Sequence, residues 1–506
     1  MSVKRNLYFG LMIASFFYGC TSTRMVQQKS SETEPYRPKY HFTPKAHWMN
    51  DPNGMVYLNG KYHLFFQYNP DSTVWGPMHW AHAISKDMIQ WEEQPIALYP
   101  DSLGTIFSGS AVIDKDNTAG FGKNAMVAIF THHNKSIEDQ KTGLHQYQSL
   151  AYSIDEGKTW TKYIGNPVLP NPGIWDFRDP KVMWHAATGK WIMTLATKDR
   201  ITFYSSPDLK KWSKESEFGE KLGAHGGVWE CPDLFPLELE GKTHWVLLVS
   251  INPGGPNGGS ATQYFTGDFD GKTFKPDSEK QKWMDYGTDN YAGVTFSNTA
   301  ARKVLMGWMN NWNYANVVPT KAWRGATTLP RDLTLKKVDE EIYLASTPVN
   351  EVSKLDKVVF ERKGLKGINS LDLSAGLIEG KGTKIEMQVN GPGNFSVELG
   401  DGKNQRLVIG FEQNKGYFID RSNAGNGEFE KNFARKHFSP RISNADYKKI
   451  VIFIDAASVE LFADDGLTAM TEVFFPIQKN TLLEIKSTQK IDVPIVKVST
   501  VANIKN

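Results

Sequence analysis

Cysteine is nearly absent. Two residues in 506 cannot staple a chain of this length, so its stability has to come from buried apolar surface. No Cys/His group has the spacing of a zinc site. His79 and His82 lie three apart on a segment that reads as a strand, where packing or hydrogen bonding suits them better than a metal. An excess of either charge is lacking too. The 58 basic and 55 acidic residues leave a net charge of +3, and no dense Lys/Arg cluster occurs. This removes the electrostatic footprint of nucleic-acid binding. No long segment carries helical periodicity, so strands and turns are the building material. Aromatic residues, by contrast, make up 12% of the chain, with 15 Trp, many of them beside Gly, Asn and Asp. Flat aromatic faces in a polar cleft suit sugar rings, although most Trp serve packing.

The N-terminus reads as a targeting device. Lys4 and Arg5 precede a mostly apolar stretch, Leu7 to Tyr18, too short to span a bilayer in the mature protein. It ends in Gly19-Cys20, and Thr21 to Glu34 is polar. The segment resembles a bacterial lipoprotein signal cut before Cys20, with Phe17 where Leu is usual. That resemblance implies a signal over residues 1–20, lipid on the Cys20 thiol, a flexible tether over 21–38, and anchoring in a bacterial cell envelope, at the outer membrane, cell surface or periplasmic face. Cys231 is then left without a disulfide partner.

Downstream the chain repeats. Ser85-Lys86-Asp87 leads to Trp91, Ser153-Ile154-Asp155 to Trp160, and Ser206-Pro207-Asp208 to Trp212, with a worn copy over Gly267 to Phe274. Paired apolar runs precede these copies. The clearest joins Met55-Val56-Tyr57-Leu58 to Tyr62-His63-Leu64 through Asn59-Gly60, a strong hairpin signal. Five units of roughly 50 to 70 residues, each of about four short strands, predict an all-β chain with a five-bladed β-propeller over 39–346. After Pro348 the repeat stops. Period-two segments such as Ile385 to Val389 and Phe395 to Leu399 predict a C-terminal β-sandwich over 350–506.

Three acidic motifs stand at blade starts: Trp48-Met49-Asn50-Asp51-Pro52-Asn53-Gly54, Phe177-Arg178-Asp179-Pro180, and Trp229-Glu230-Cys231-Pro232-Asp233. Each sets a carboxylate beside Pro just ahead of a strand. The first strand of a propeller blade lines the central channel, so Asp51, Ser108, Asp179, Glu230 and Tyr291 are predicted to converge. Carboxylates brought together in this way are the equipment of glycosidic bond cleavage: one attacks or stabilises the sugar cation, another protonates the leaving oxygen.

With Phe107-Ser108-Gly109-Ser110, Asp289-Asn290-Tyr291-Ala292, Trp323-Arg324-Gly325 and Leu329-Pro330-Arg331, the chain resembles glycoside hydrolase family 32, the invertase, inulinase and levanase group, over nearly all its mature length. The resemblance implies a retaining fructosidase acting on levan or inulin, with sucrose and fructo-oligosaccharides as further substrates, and no cofactor or metal. It implies Asp51 as nucleophile, kept ionised by hydrogen bonds, Glu230 as general acid and base, and Asp179 as a transition-state stabiliser holding fructose hydroxyls. Asn50, Gln67, Trp75, Ser108 and Arg178 match positions that touch the fructosyl ring, and Trp48 and Trp312 are candidate stacking faces. Pro77 and Val294 stand where the family commonly has Asn and Gln, both expected at the pocket rim. A fructosyltransferase shares all three acids, and a non-catalytic glycan-binding lipoprotein is the alternative from another class. Retention of three acids speaks against the latter, since a pure binder needs no nucleophile.

Overall fold

The hairpin signal at Asn59-Gly60 shows how local sequence builds this chain. Both residues have positive φ, 50° and 81°, as a two-residue type I′ turn demands, and Leu58 lies opposite Lys61 across it. In the computed structural model, which describes Ser2 and residues 34–503, such hairpins assemble into the five sheets of a β-propeller. Cys20, nearly all of the signal and residues 21–33 of the tether lie outside the described residues.

Blade one is β1 (His47–Leu58), β2 (Lys61–Asn69), β3 (His79–Ser85) and β4 (Glu92–Leu98). Blade two is β5 (Thr105–Asp114), β6 (Ala125–His133), β7 (Gln146–Ser153) and β8 (Thr161–Lys162). Blade three is β9 (Phe177–His185), β10 (Lys190–Thr197), β11 (Arg200–Ser206) and β12 (Ser213–Phe218). Blade four is β13 (Val228–Leu239), β14 (Lys242–Asn252), β15 (Ala261–Phe269) and β16 (Phe274–Pro276), with β17 (Lys282–Trp283) added beside β15. Blade five is β18 (Tyr291–Thr295) and β19 (Val304–Trp308), then, after β20 (Trp323–Arg324), β21 (Arg331–Val338) and β22 (Glu341–Pro348).

The Ser-x-Asp…Trp repeat is a turn device. Ser85 Oγ donates to Asp87 Oδ1 at 3.0 Å, the same carboxylate caps the amides of Ile89 and Gln90, and Trp91 Nε1 donates to the Met88 carbonyl at 2.9 Å. Asp155 and Asp208 cap Lys158/Thr159 and Lys210/Lys211 in the same way, and Trp160 and Trp212 close onto Gly157 and Leu209. In the worn copy Asp270 still caps Lys272 and Thr273, with Phe274 in the Trp position. The motif therefore closes the link from third to fourth strand in each of four blades.

The ring shuts where β20 pairs in parallel with β1, Trp323 opposite His47 and Arg324 opposite Trp48. Gly325 follows with φ of 91°, and a Cβ there would meet the Met49 carbonyl oxygen at 2.1 Å. The Trp-Arg-Gly motif is thus a clasp two residues from Asp51, and only glycine permits its close approach.

The C-terminal part is the expected β-sandwich: β23 (Asp356–Asp372), β24 (Gly382–Asn390), β25 (Phe395–Gly400), β26 (Arg406–Glu412), β27 (Gly416–Asn423), β28 (Lys436–Ser439), β29 (Tyr447–Ile454), β30 (Ser458–Ala463), β31 (Thr468–Val473) and β32 (Leu482–Val501). The long β32 pairs with β25 through its first residues and with β24 through its last, so one hydrogen-bonded sheet folds over into two layers. Ile385, Met387 and Val389 of β24 point inward onto Val397, Ile409, Leu461 and Ile485. A second apolar cluster unites Trp48, Phe66 and Trp308 of the propeller with Phe453 and Phe462 of the sandwich. Tyr36, within the span read as tether, already packs its ring edge-on against Phe475 at 5.2 Å.

Candidate active site

All five inner strands break register near their starts. The slips fall between Met49 and Pro52 in β1, Ile106 and Gly109 in β5, Arg178 and Lys181 in β9, Glu230 and Asp233 in β13, and Tyr291 and Val294 in β18. Asp179, Cys231 and Ala292 carry the positive φ of these bulges, at 62°, 43° and 52°. A bulge bends its strand and re-aims a side chain, and it is one of the few places a sheet tolerates Pro, which explains Pro180 and Pro232. The acids therefore lie inside strands, at bulges, and not just ahead of strands as the sequence suggested.

The bulges bring all five predicted blade-start residues into one neighbourhood. Ser108 Oγ donates to Asp51 Oδ2 at 2.7 Å, and Asn50 Nδ2 donates to Asp51 Oδ1 at 3.0 Å. The Cys231 amide donates to Asp179 Oδ2 at 3.0 Å, while its thiol lies 3.5 Å from Asp51 Oδ2 and 3.6 Å from Asp179 Oδ2. Arg178 grips Glu230 Oε1 through Nε at 3.2 Å and Nη2 at 2.9 Å, and the Tyr291 hydroxyl donates to Glu230 Oε2. Arg178 is itself held by Asp176 at 2.5 Å and by Gln146 at 3.4 Å.

The electrostatics follow from three carboxyl groups gathered close together, with one guanidinium beside Glu230 and Asp179. Burial pushes Asp51 upward from its ordinary value, against the hydrogen bonds from Asn50 and Ser108, and the charge of Glu230 adds to the rise. Asn53, by contrast, donates to the Asp51 backbone carbonyl, and burial outweighs the bonds that do reach the carboxylate, against the expectation that hydrogen bonds keep Asp51 ionised. Asp179 is also raised by burial; Arg178 opposes the rise, and Glu230 and Asp51 add to it. Such a cluster takes up a proton more readily than separate carboxylates. Burial lifts Cys231 and Tyr291 far above their usual ranges, so thiol and phenol stay protonated and serve as donors. Arg178 remains charged despite burial because Glu230 and Asp176 face it.

Other predicted residues fall into place less uniformly. Gln67, on β2, is buried, and its Nε2 has no hydrogen-bond partner among the described residues. Trp75 is 44% exposed and meets Phe107 edge-on at 6.1 Å, a rim position. Trp312 is half-buried and stacks on Trp48 at 6.0 Å. Trp48 is corrected: its ring is completely buried between Trp308 and Trp312, so it offers no face to a sugar, and its Nε1 instead orients Asn50 at 2.7 Å. Val294 is corrected as well. It pairs with Met306 in the apolar cluster and is 6% exposed, beyond the bulge and away from the rim, whereas Pro77 is exposed as expected. The thiol bridging two acids, and Asp176 and Gln146 behind Arg178, carried no sequence signal. Among the described residues no group of three or more His, Cys, Asp and Glu is arranged to hold a metal ion.

Residues 41–348 match the Glycosyl hydrolases family 32 N-terminal domain, and residues 351–502 the family 32 C-terminal domain. The chain is 47% identical over 472 residues to the levanase of Bacillus subtilis (strain 168), covering 89% of this chain and 68% of that one. It is 38% identical over 484 residues to an extracellular exo-inulinase of Aspergillus niger, covering 88% and 90%. The crystal structure of exo-inulinase from Aspergillus awamori superposes with a TM-score of 0.85 at 36% identity, covering 93% of this chain and 99% of that one.

Proposed function

The chain belongs to glycoside hydrolase family 32, and we propose that it hydrolyses the β-fructofuranosidic bonds of fructans by double displacement at the Asp51–Asp179–Glu230 cluster. The observation that carries this reading is the meeting of three carboxyl groups from blades one, three and four around one thiol and one guanidinium. Asp51, with donors on both oxygens, attacks the anomeric carbon of a terminal or internal fructosyl unit. Glu230, between Arg178 and the Tyr291 hydroxyl, gives its proton to the departing oxygen and then takes one from water. Asp179, fixed by the Cys231 amide, accepts fructose hydroxyls and steadies the cationic transition state. Asn50, Gln67, Ser108 and Arg178 line the fructosyl subsite, and Trp75 and Trp312 border it. Similarity to both a levanase and an exo-inulinase supports levan or inulin as the polymer.

Asp51→Asn and Glu230→Gln should each cut sugar release from levan and inulin by at least about a thousandfold, with Tm unchanged within a few degrees. Reducing-sugar assays check this, and undiminished release by either variant rules the roles out.

The Lys4-Arg5, Leu7–Tyr18 and Gly19-Cys20 features support lipid attachment at Cys20 and residence in a bacterial cell envelope. Cys20→Ala should move the enzyme from the membrane to the soluble fraction. An unchanged membrane fraction contradicts the anchor.

A further inference from the structure

Tyr291 reaches Glu230 from a strand whose approach is held by the sandwich. Residues 285–290, between β17 and β18, run along β31. Tyr286 N donates to Ala469 O at 2.9 Å and Asp289 N to Thr471 O at 3.0 Å. In return Thr471 N donates to Asp285 Oδ1 at 2.8 Å and Val473 N to Asp289 Oδ2 at 2.9 Å. Arg421, buried on β27, closes the contact: Nη1 lies 2.6 Å from Asp289 Oδ2, and Nη2 lies 3.1 Å from Thr288 Oγ1 and 2.9 Å from the Tyr314 hydroxyl. Tyr314 in turn donates to Asp289 Oδ1 at 2.5 Å, and Glu472 of β31 balances Arg421 at 2.8 Å.

Buried ion pairs of this kind add little stability compared with apolar packing of the same volume, but they are directional. An apolar seam would join the two domains as firmly. It would not fix the orientation of the two residues before Tyr291, where β18 is the edge strand of its blade and slips register against β19 at the Ala292 bulge.

We propose that Arg421 is a positioning residue for the reaction: by clamping Asp289 it sets Tyr291, and through the Tyr291 hydroxyl the carboxyl group of Glu230, so that the sandwich is part of the active-site scaffold. The proposal rests on Glu230 being the general acid. A displaced Tyr291 would leave Glu230 pulled toward Arg178 and poorly aimed at the leaving oxygen, and small misplacements of a catalytic group are expensive in rate.

The test compares kcat/KM, which reports the first bond cleavage, on an inulin oligosaccharide and on p-nitrophenyl β-fructofuranoside, whose leaving group departs without a proton. Arg421→Lys should lose about tenfold on the oligosaccharide and less than about twofold on the aryl fructoside. Tyr291→Phe should show the same selectivity, and adding Arg421→Lys to it should cost no more than about twofold further, because the two act in series. Tyr314→Phe loosens the same clamp more gently and decides the matter if Arg421→Lys does not fold. Equal losses on both substrates, multiplicative losses in the double variant, or no loss would overturn the proposal. Glu230→Gln runs alongside. If it fails to spare the aryl substrate, the general-acid reading falls; if it spares it while the clamp variants do not, only the positioning idea falls.

Discussion

Asp51 stands between burial, which favours its proton, and the Asn50 and Ser108 donors, which favour its charge. A nucleophile has to be ionised, so removing a donor should harm it on the acid side. Ser108→Ala should move the acid limb of the kcat/KM profile to higher pH and lower activity on that limb by about tenfold, the scale of a lost hydrogen bond to a charged group. An unmoved limb would mean that Ser108 does not tune the nucleophile. At this scale the sequence was most readable where chemistry fixes the residue type: the three acids, Ser108, Arg178 and Tyr291 gather as their motifs suggested. It was least readable where burial decides. Nothing in the spelling of Trp48 distinguishes a sugar platform from a core indole, and only packing against Trp308 and Trp312 shows that it works through Asn50.

The repeated turns test the element scale. Asp87, Asp155 and Asp208 each cap two backbone amides at a partly exposed corner, far along the chain from the acids. Replacement of any one by Ala should cost about 1 to 2 kcal/mol, seen as a lower Tm, with kcat unchanged. Hairpins and these corners were legible because they depend on near neighbours: Asn59-Gly60 needs two positive φ values, and Asp needs amides two to four residues on. The inner-strand bulges were not legible. A register slip depends on the partner strand and on what fills the channel, and in the sequence Pro180 and Pro232 read only as turn formers just ahead of strands. Val294 was misplaced for the same reason, since the slip before it sends its side chain to the core.

For the whole molecule, the link between propeller and sandwich carries a pH dependence. His41, ahead of β1, lies buried with Nδ1 2.8 Å from Asp455 and Nε2 2.8 Å from Glu460 of the sandwich. Burial works against its charge, yet the two carboxylates push it from 6.5 up to about 9. A group raised in the fold contributes stability that is complete below its ordinary value and fades as pH rises through the folded one. Calorimetry should therefore show Tm falling from pH 6.5 to about 9, and falling less steeply in His41→Gln. A parallel decline in both proteins would assign the loss to other groups. The two-domain plan was legible in the sequence, because a propeller repeat that stops is a local signal. The charged clamp was not, because Arg421 and Asp289 lie 132 positions apart and nothing in either segment names its partner.

The central claim is that side chains from separate blades act on one fructosyl unit, with Asp51 making the covalent bond. Glu230→Gln given an aryl β-fructofuranoside should form the intermediate quickly and release it slowly. Mass spectrometry of the digested protein should then find one fructosyl group on the peptide bearing Asp51. A label on the peptide bearing Asp179, or product of inverted configuration with no label at all, would contradict the account.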